Sequence, residues 1–311
     1  MKIVFLDAAT MGDTPLVEIA GLGELVCYDS SSAEEARERV VDCEVLIVNK
    51  VHVTKDLLDC APCLRLVCEA ATGVNNIDLA ACAERGIEVR NVAGYSTESV
   101  VQGTFMHVLS LVGNGPALDG RVKSGAYSRS GCFTDVTLPW MELCGKTYGV
   151  IGMGAIGSRV AAIAKGFGMR VIYYSTSGTS HNTDYPSVPL DELMSQSDVI
   201  SVHAPYNERT AGLVGERELR LMKPTGIIVN MGRGGIVDEA ALARVVDEGV
   251  IGGAALDVFV HEPLEEESPL LHTRHPEKLR FTPHTAWASV EARGRLAHEI
   301  AMNIRRFYGL A

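Results

Sequence analysis

Short apolar runs alternate with stretches of helical periodicity from one end of the chain to the other. In the first 97 residues, Lys2–Leu6, Glu24–Tyr28, Glu44–Val48, Arg65–Glu69 and Ile87–Arg90 predict strands, and Ala33–Val41 and Asp78–Arg85 predict helices. Strand–helix alternation of this kind implies a parallel sheet covered on both faces. The rhythm resumes at Thr147. Strands are predicted at Thr147–Ile151, Arg170–Tyr174, Val199–His203, Gly226–Asn230, Gly252–Leu256 and Leu279–Thr282. Asp238 is placed to cap a helix carrying Ala241, Leu242, Val245 and Val246, with Gly249 just past its end. Residues 98–113 predict a long helix. Val101, Phe105, Val108 and Val112 form one stripe, while Val100, Met106, Leu109 and Leu111 cover other sides. A helix apolar all round is expected to be buried, as one lying between two domains would be. Residues 114–146 scatter Gly, Ser and Pro without periodicity and read as a surface arm or subunit contact. A last helix at Ser289–Phe307 is expected to bury Leu296, Ile300, Ile304 and Phe307.

Length and charge narrow the class. A chain of 311 residues with 47% hydrophobic content suits two domains with sizeable cores. A formal charge of −11 argues against nucleic acid as a partner. The first apolar run stops at Asp7 and reads as a strand, not as a signal peptide. No uncharged run reaches the roughly 18 residues of a membrane span. Eight cysteines without a secretory leader imply reduced thiols and a cytoplasmic location. Cys60-Ala-Pro-Cys63 has a proline inside and no second pair, so a helix-to-strand loop is expected there and no metal site.

Thr147–Gly157, TYGVIGMGAIG, carries the strongest local signal. A five-residue strand leads into Gly152, Gly154 and Gly157 spaced as G-x-G-x-x-G. A helix with Ile156, Val160, Ile163 and Phe167 on one face follows. Strand, glycine turn and helix together are the context a dinucleotide requires. Gly152 allows the turn, Gly154 the approach of a pyrophosphate, and Gly157 close packing of helix on strand. The helix start offers N–H groups to phosphate.

Ligands of open parallel sheets bind beyond the carboxyl ends of the strands. Polar residues follow the later strands at His203-Ala-Pro, at Asn230-Met-Gly-Arg-Gly-Gly, at Asp257-Val-Phe-Val-His-Glu-Pro and at Thr282-Pro-His-Thr-Ala-Trp. Arg233 sits in a glycine-flanked turn, and its planar fork matches a carboxylate. Glu262 and His284 each adjoin a proline at a strand end. An imidazole beside a carboxylate is a common acid–base arrangement.

The chain resembles the D-isomer-specific 2-hydroxyacid dehydrogenases. The resemblance is carried by GVNNID at 73–78, NVAGYSTESV at 91–100, GKTYGVIGMGAIG at 145–157, HAPYNERT at 203–210, NMGRGGIVDE at 230–239, ALDVFVHEP at 255–263 and TPHTAWAS at 282–289. It implies an α/β fold of two flavodoxin-like or Rossmann-like doubly wound domains with a cleft between them. Residues 1–97 plus 288–311 would form the substrate-binding domain and 98–287 the dinucleotide-binding domain. The implied reaction moves a hydride between a nicotinamide cofactor and C2 of a small 2-hydroxyacid or 2-oxoacid. His284 would be the acid/base, Glu262 its partner, and Arg233 the anchor of the substrate carboxylate. The backbone of Thr72, Gly73 and Val74 would hold the other side of that carboxylate. Asp257 would contact the carboxamide end of the nicotinamide. Ala155 and Ile156 would lie on the pyrophosphate, and Thr72, Ala204, Met231, Gly232 and Trp287 along the cofactor. The family habit and the 114–146 arm suggest a homodimer.

Two departures refine the expectation. About 20 residues past the fingerprint NAD binders carry an acid, but here the strand runs into Ser175-Thr-Ser-Gly. Serine does not repel a 2′-phosphate, yet no Arg or Lys follows before the next helix and only His181 is near. NAD(H) is therefore favoured and NADP(H) left open. Glu69 stands where phosphoglycerate dehydrogenases commonly carry arginine, which disfavours a phosphorylated substrate. TPHTAWAS, with Trp287, resembles the glycerate dehydrogenase or hydroxypyruvate reductase branch. Lys50, after the third strand, is a candidate to add positive charge near the substrate. The competing readings are a nucleotide-sensing corepressor of the same fold, or a phosphoglycerate or phosphite dehydrogenase.

Overall fold

The computed structural model describes residues 1–178 and 182–310. The chain divides into two compact units, Met1–Ser96 with Trp287–Ala311, and Thr97–Ala286.

In the first unit the strands are β1 (Lys2–Phe5), β2 (Glu24–Cys27), β3 (Val45–Val48), β4 (Leu66–Glu69) and β5 (Glu88–Arg90). They form a five-stranded sheet in the order β2-β1-β3-β4-β5, with every pairing parallel. Every residue of β3 and β4 is buried, whereas the edge strands β2 and β5 have none fully buried. That is why β3 reads as an unbroken apolar run and β4 as one broken only by Glu69 at its end. The helix Val290–Tyr308 completes this unit. Its Leu296, Ile300 and Ile304 share a core with Ile3, Phe5 and Ile47. Ser289 caps it by accepting from the Ala292 N–H.

In the second unit the strands are β6 (Thr147–Ile151), β7 (Arg170–Tyr174), β8 (Val199–Val202), β9 (Ile227–Asn230), β10 (Gly253–Leu256) and β11 (Leu279–Phe281). The six-stranded sheet runs β11-β10-β9-β8-β6-β7, again parallel throughout. The chain steps outward from β6 to β7 and then returns to the other side of β6 for β8. That reversal opens a crevice at the carboxyl ends of β6 and β8. Both sheets are doubly wound α/β layers, as the alternation of strand and helix predicts.

Two segments differ from the sequence reading. The helix Thr97–Val112 buries Val101, Phe105, Val108 and Val112, but Met106 and Leu109 are 53% and 44% exposed. It lies along β9 and β10, so the sheet covers one side of it and not its whole circumference. Residues 114–146 contain the helices Gly115–Lys123 and Ala126–Ser130, neither with a buried residue. A helix that buries no face has no apolar stripe, so periodicity could not reveal these two. The Cys60–Cys63 stretch is the expected helix-to-strand loop, with Cys60 closing the helix Lys55–Asp59 ahead of β4. Among the described residues no helix is long and apolar enough to cross a membrane.

Candidate active site

The glycine turn after β6 is shaped by close approach. Gly152 has φ +94°, a region that disfavours side chains, and a Cβ there would meet the Ala204 nitrogen at 2.8 Å. A Cβ on Gly157 would collide with the Gly152 carbonyl oxygen. Gly154 differs: among the described residues nothing lies within 4 Å of the place its Cβ would take. The outer glycines serve packing, and the middle one opens a cradle at the start of the helix Ala155–Gly166. Ala155 is exposed and Ile156 half-buried in that first turn. The cradle belongs to a cavity of about 840 Å³ whose lining includes Gly154, Ser158, Ser175, His203, Asn207 and Arg209. These residues fit a dinucleotide. The cavity is of ligand size, the helix Ala155–Gly166 begins at its lining residue Gly154, and a side chain at Gly154 would narrow the approach.

The loop after β8 adds His203, Pro205, Asn207 and Arg209 to the lining. Ala204 is buried between two glycines, since a Cβ on Gly232 would meet the Ala204 carbonyl oxygen at 2.8 Å. Met231 is buried beside it in the chain, with its terminal methyl close to Gly103. Burial drives the His203 imidazole down to about 3, so the ring is neutral. Its Nε2 is 2.9 Å from Ser201 Oγ, and its buried Nδ1 has no hydrogen-bond partner among the described residues.

Three loops at the carboxyl ends of the adjacent strands β9, β10 and β11 carry the acid–base candidates. His284 Nδ1 lies 2.6 Å from Glu262 Oε2, and the other Glu262 oxygen accepts from the Phe259 N–H at 2.9 Å. His284 has φ +51°, in the left-handed region. Backbone strain of this kind persists only where surroundings over-determine it, and Asp257 supplies the determination. Its buried carboxylate accepts from the Thr282 hydroxyl at 2.6 Å, the Thr285 N–H at 2.9 Å and the Ala286 N–H at 3.0 Å. Thr282 has one hydroxyl proton, given to Asp257, so the buried His107 must donate from Nε2 across their 3.0 Å contact. Burial holds the His107 ring below its usual range. The carboxylate expected to meet nicotinamide is thus also the clamp of the His284 loop. Arg233 is the exposed residue of a turn whose glycines are buried or half-buried, its Nη1 donating to Gly232 O at 2.8 Å. Asn230 braces that turn, donating to Arg233 O and accepting from Gly232 N–H.

The remaining candidates lie in the first unit. After β4, the Thr72 hydroxyl donates to Val92 O at 3.0 Å and Asn91 Nδ2 donates to Thr72 O at 2.6 Å, which pins the loop through Gly73 and Val74. Asn76 Nδ2 donates to Glu69 Oε2 at 3.0 Å and to Val51 O at 3.1 Å. Glu69 is fully buried. Burial pushes its carboxyl up to about 8, with the Asp7 charge adding and Asn76 and Lys50 opposing. It is a neutral acid of the core at neutral pH. Lys50 follows β3, where its backbone N–H and those of Asn49 and Val51 all donate to Asp7, and it lines a cavity of about 700 Å³ with Asp7 and His52. Trp287 packs edge-on against Tyr95 with ring centroids 6.2 Å apart. His181 lies outside the described residues.

His107 and Arg209 escaped the sequence reading. His107 sits among apolar neighbours 175 positions before its partner Thr282, and Arg209 reaches a loop 32 positions away. Neither pairing leaves a local signal.

A doubly wound sheet with a phosphate-type glycine turn after one strand and a histidine–carboxylate pair after two others on the same carboxyl edge is the arrangement of a nicotinamide-dependent oxidoreductase. Comparison with known proteins places it more closely. Residues 105–286 match the family model for the D-isomer specific 2-hydroxyacid dehydrogenase NAD binding domain. The glycerate dehydrogenase of Methylorubrum extorquens is 34% identical over 98% of this chain and 96% of that enzyme. The glyoxylate reductase of Aeropyrum pernix is 42% identical over 81% of this chain and 76% of that enzyme. Among solved structures, D-lactate dehydrogenase from Aquifex aeolicus, complexed with NAD and lactic acid, superposes with a TM-score of 0.86 at 29% identity, covering 99% of this chain and 95% of that one. The chain belongs to the D-isomer-specific 2-hydroxyacid dehydrogenase family.

Proposed function

We propose that the enzyme interconverts a small, unphosphorylated D-2-hydroxyacid and its 2-oxoacid, of the glycerate/hydroxypyruvate or glyoxylate class, with His284, Glu262 and Arg233 as its catalytic set. The observation that carries this reading is the 2.6 Å pair between His284, on left-handed backbone after β11, and Glu262, on the loop after β10, the strand next to the one that carries Arg233. A bound nicotinamide cofactor supplies or takes up the hydride at C2. Arg233 receives the substrate carboxylate in its planar fork. Glu262 accepts the Nδ1 proton of His284, which leaves Nε2 to serve the substrate. In reduction Nε2–H gives its proton to the C2 oxygen, and in oxidation neutral Nε2 takes the hydroxyl proton back. Asp257 and Thr282 keep the imidazole in place by holding the backbone on either side of it. An unphosphorylated substrate is supported by Glu69, which brings no positive charge to the end of β4.

The test is a screen of glyoxylate, hydroxypyruvate, pyruvate and 3-phosphohydroxypyruvate with NADH and NADPH, followed by loss of nicotinamide absorbance. Turnover of the unphosphorylated acids, abolished in His284→Ala, is the expected result. A preference for the phosphorylated acid would overturn the substrate class. No turnover with any of them would favour a nucleotide-sensing binding protein instead.

We also propose a homodimer in the cytoplasm. Phe133, Val136, Trp140, Val122, Met106 and Leu109 expose apolar surface within one stretch of the second unit, as a self-association face requires.

A further inference from the structure

The serine turn after β7 has a cation that its own stretch of sequence lacks. Arg209, on the loop after β8, donates from Nη1 to the Ser177 carbonyl oxygen at 2.9 Å. Ser175 and Ser177 place their hydroxyl oxygens 3.4 Å apart in the same turn. All three residues line the cavity that contains the glycine turn. In a doubly wound fold the end of the strand after the glycine helix faces the adenosine ribose, and a carboxylate there accepts the ribose hydroxyls and repels a 2′-phosphate. Here that position is Ser175, and no acid occupies Thr176 or Ser177. Among the described residues, Arg209 and Glu208 are the charged side chains of the lining, and His203 is neutral. The bond to Ser177 draws the guanidinium to the serines and uses one of its five donors.

We propose that Arg209, with the hydroxyls of Ser175 and Ser177, forms a seat for the 2′-phosphate of an NADP-type dinucleotide, so that NADPH is a working cofactor of this enzyme. The inference rests on reading the cavity as the dinucleotide site and deepens it. A guanidinium–phosphate contact is a charge-assisted bond, and its loss corresponds to roughly 10- to 100-fold in affinity.

The test needs no oxoacid, so its failure is distinct from a failure of the proposed reaction. The full-length protein is titrated calorimetrically with 2′,5′-ADP and with 5′-AMP, which differ by the 2′-phosphate alone. The wild type is expected to prefer 2′,5′-ADP. Arg209→Gln is expected to lower that preference by roughly 10- to 100-fold, and Arg209→Lys to retain part of it. Absence of a preference in the wild type would overturn the proposal, as would a preference that survives Arg209→Gln. Should the Gln variant bind neither nucleotide, Arg209→Lys decides. A retained preference supports the seat, and loss of 5′-AMP binding as well shows a structural role that overturns it.

Discussion

Glu69 offers a measurement that separates burial from chemistry. Its carboxyl ordinarily titrates at 4.5 and is pushed up to about 8 in the folded chain. The folded state therefore binds this proton more tightly than the unfolded chain does. Stability from that proton is complete below 4.5 and drains away as pH rises toward about 8. Each pKa unit corresponds to about 1.4 kcal/mol, so a rise from about pH 5.5 to about pH 8 should cost on the order of 3 kcal/mol. Glu69→Gln removes the titration while keeping an oxygen to accept from Asn76 Nδ2. The assay is urea unfolding followed by tryptophan fluorescence. Trp287 packs on Tyr95 in the same unit as Glu69, and Trp140→Phe in both backgrounds silences the chain's other tryptophan. The stability of the Gln variant relative to wild type should rise by about 3 kcal/mol between about pH 5.5 and about pH 8. Parallel stability profiles across that range would refute the argument, because they would mean that Glu69 is ionised, or water-exposed, in the folded state.

Other outcomes follow from the second unit. His284→Ala and Arg233→Ala should each lower kcat/KM by roughly 10²- to 10⁴-fold with unchanged circular dichroism; near-normal steady-state kinetics in either variant would remove that residue from the catalytic set. His107→Leu deletes the donor to Thr282, and calorimetric melting should report a loss of about 1–2 kcal/mol; a more stable variant would mean that the contact contributes nothing. Gly157→Ala puts a methyl against the Gly152 carbonyl, so the glycine turn must shift, and nucleotide affinity measured by titration should fall by at least about tenfold. Phe133→Asp combined with Trp140→Asp should convert a dimer to a monomer in sedimentation. An unchanged mass would place self-association elsewhere.

Much of this molecule is written locally. Val45–Val48 and Val199–Val202 are buried at every position, and a strand covered on both faces is predominantly apolar, with Ser201 the one polar residue of these two, so each is recognisable as it stands. The strand limits read from the chain fall within a residue or two of those observed, as with Val199–His203 against β8. The glycine turn was equally legible, since its geometry depends on neighbours a few residues apart. The motif stretches at 230–239, 255–263 and 282–289 pointed to Arg233, Glu262 and His284 without a structure. The helix Thr97–Val112 was misjudged as buried all round because apolar residues facing a sheet and apolar residues facing solvent look alike in one dimension.

What the linear order could not supply were the pairings set by the sheet sequence β11-β10-β9-β8-β6-β7. That order flanks β6 with β7 and β8, so Arg209 on the loop after β8 reaches across the end of β6 to a serine turn whose own stretch lacks a cation. Packing of the helix Thr97–Val112 on the same sheet sets His107 against Thr282, and through it against the Asp257 clamp of the His284 loop. The protonation of Glu69 has the same origin. A carboxyl's charge is decided by the solvent and dipoles around it, and those come from strands distant in sequence. The sequence determined which segments become strands, helices and a phosphate turn, because those choices depend on near neighbours. Only the tertiary structure decided which polar groups meet and in what charge state, because both depend on what the fold places around them.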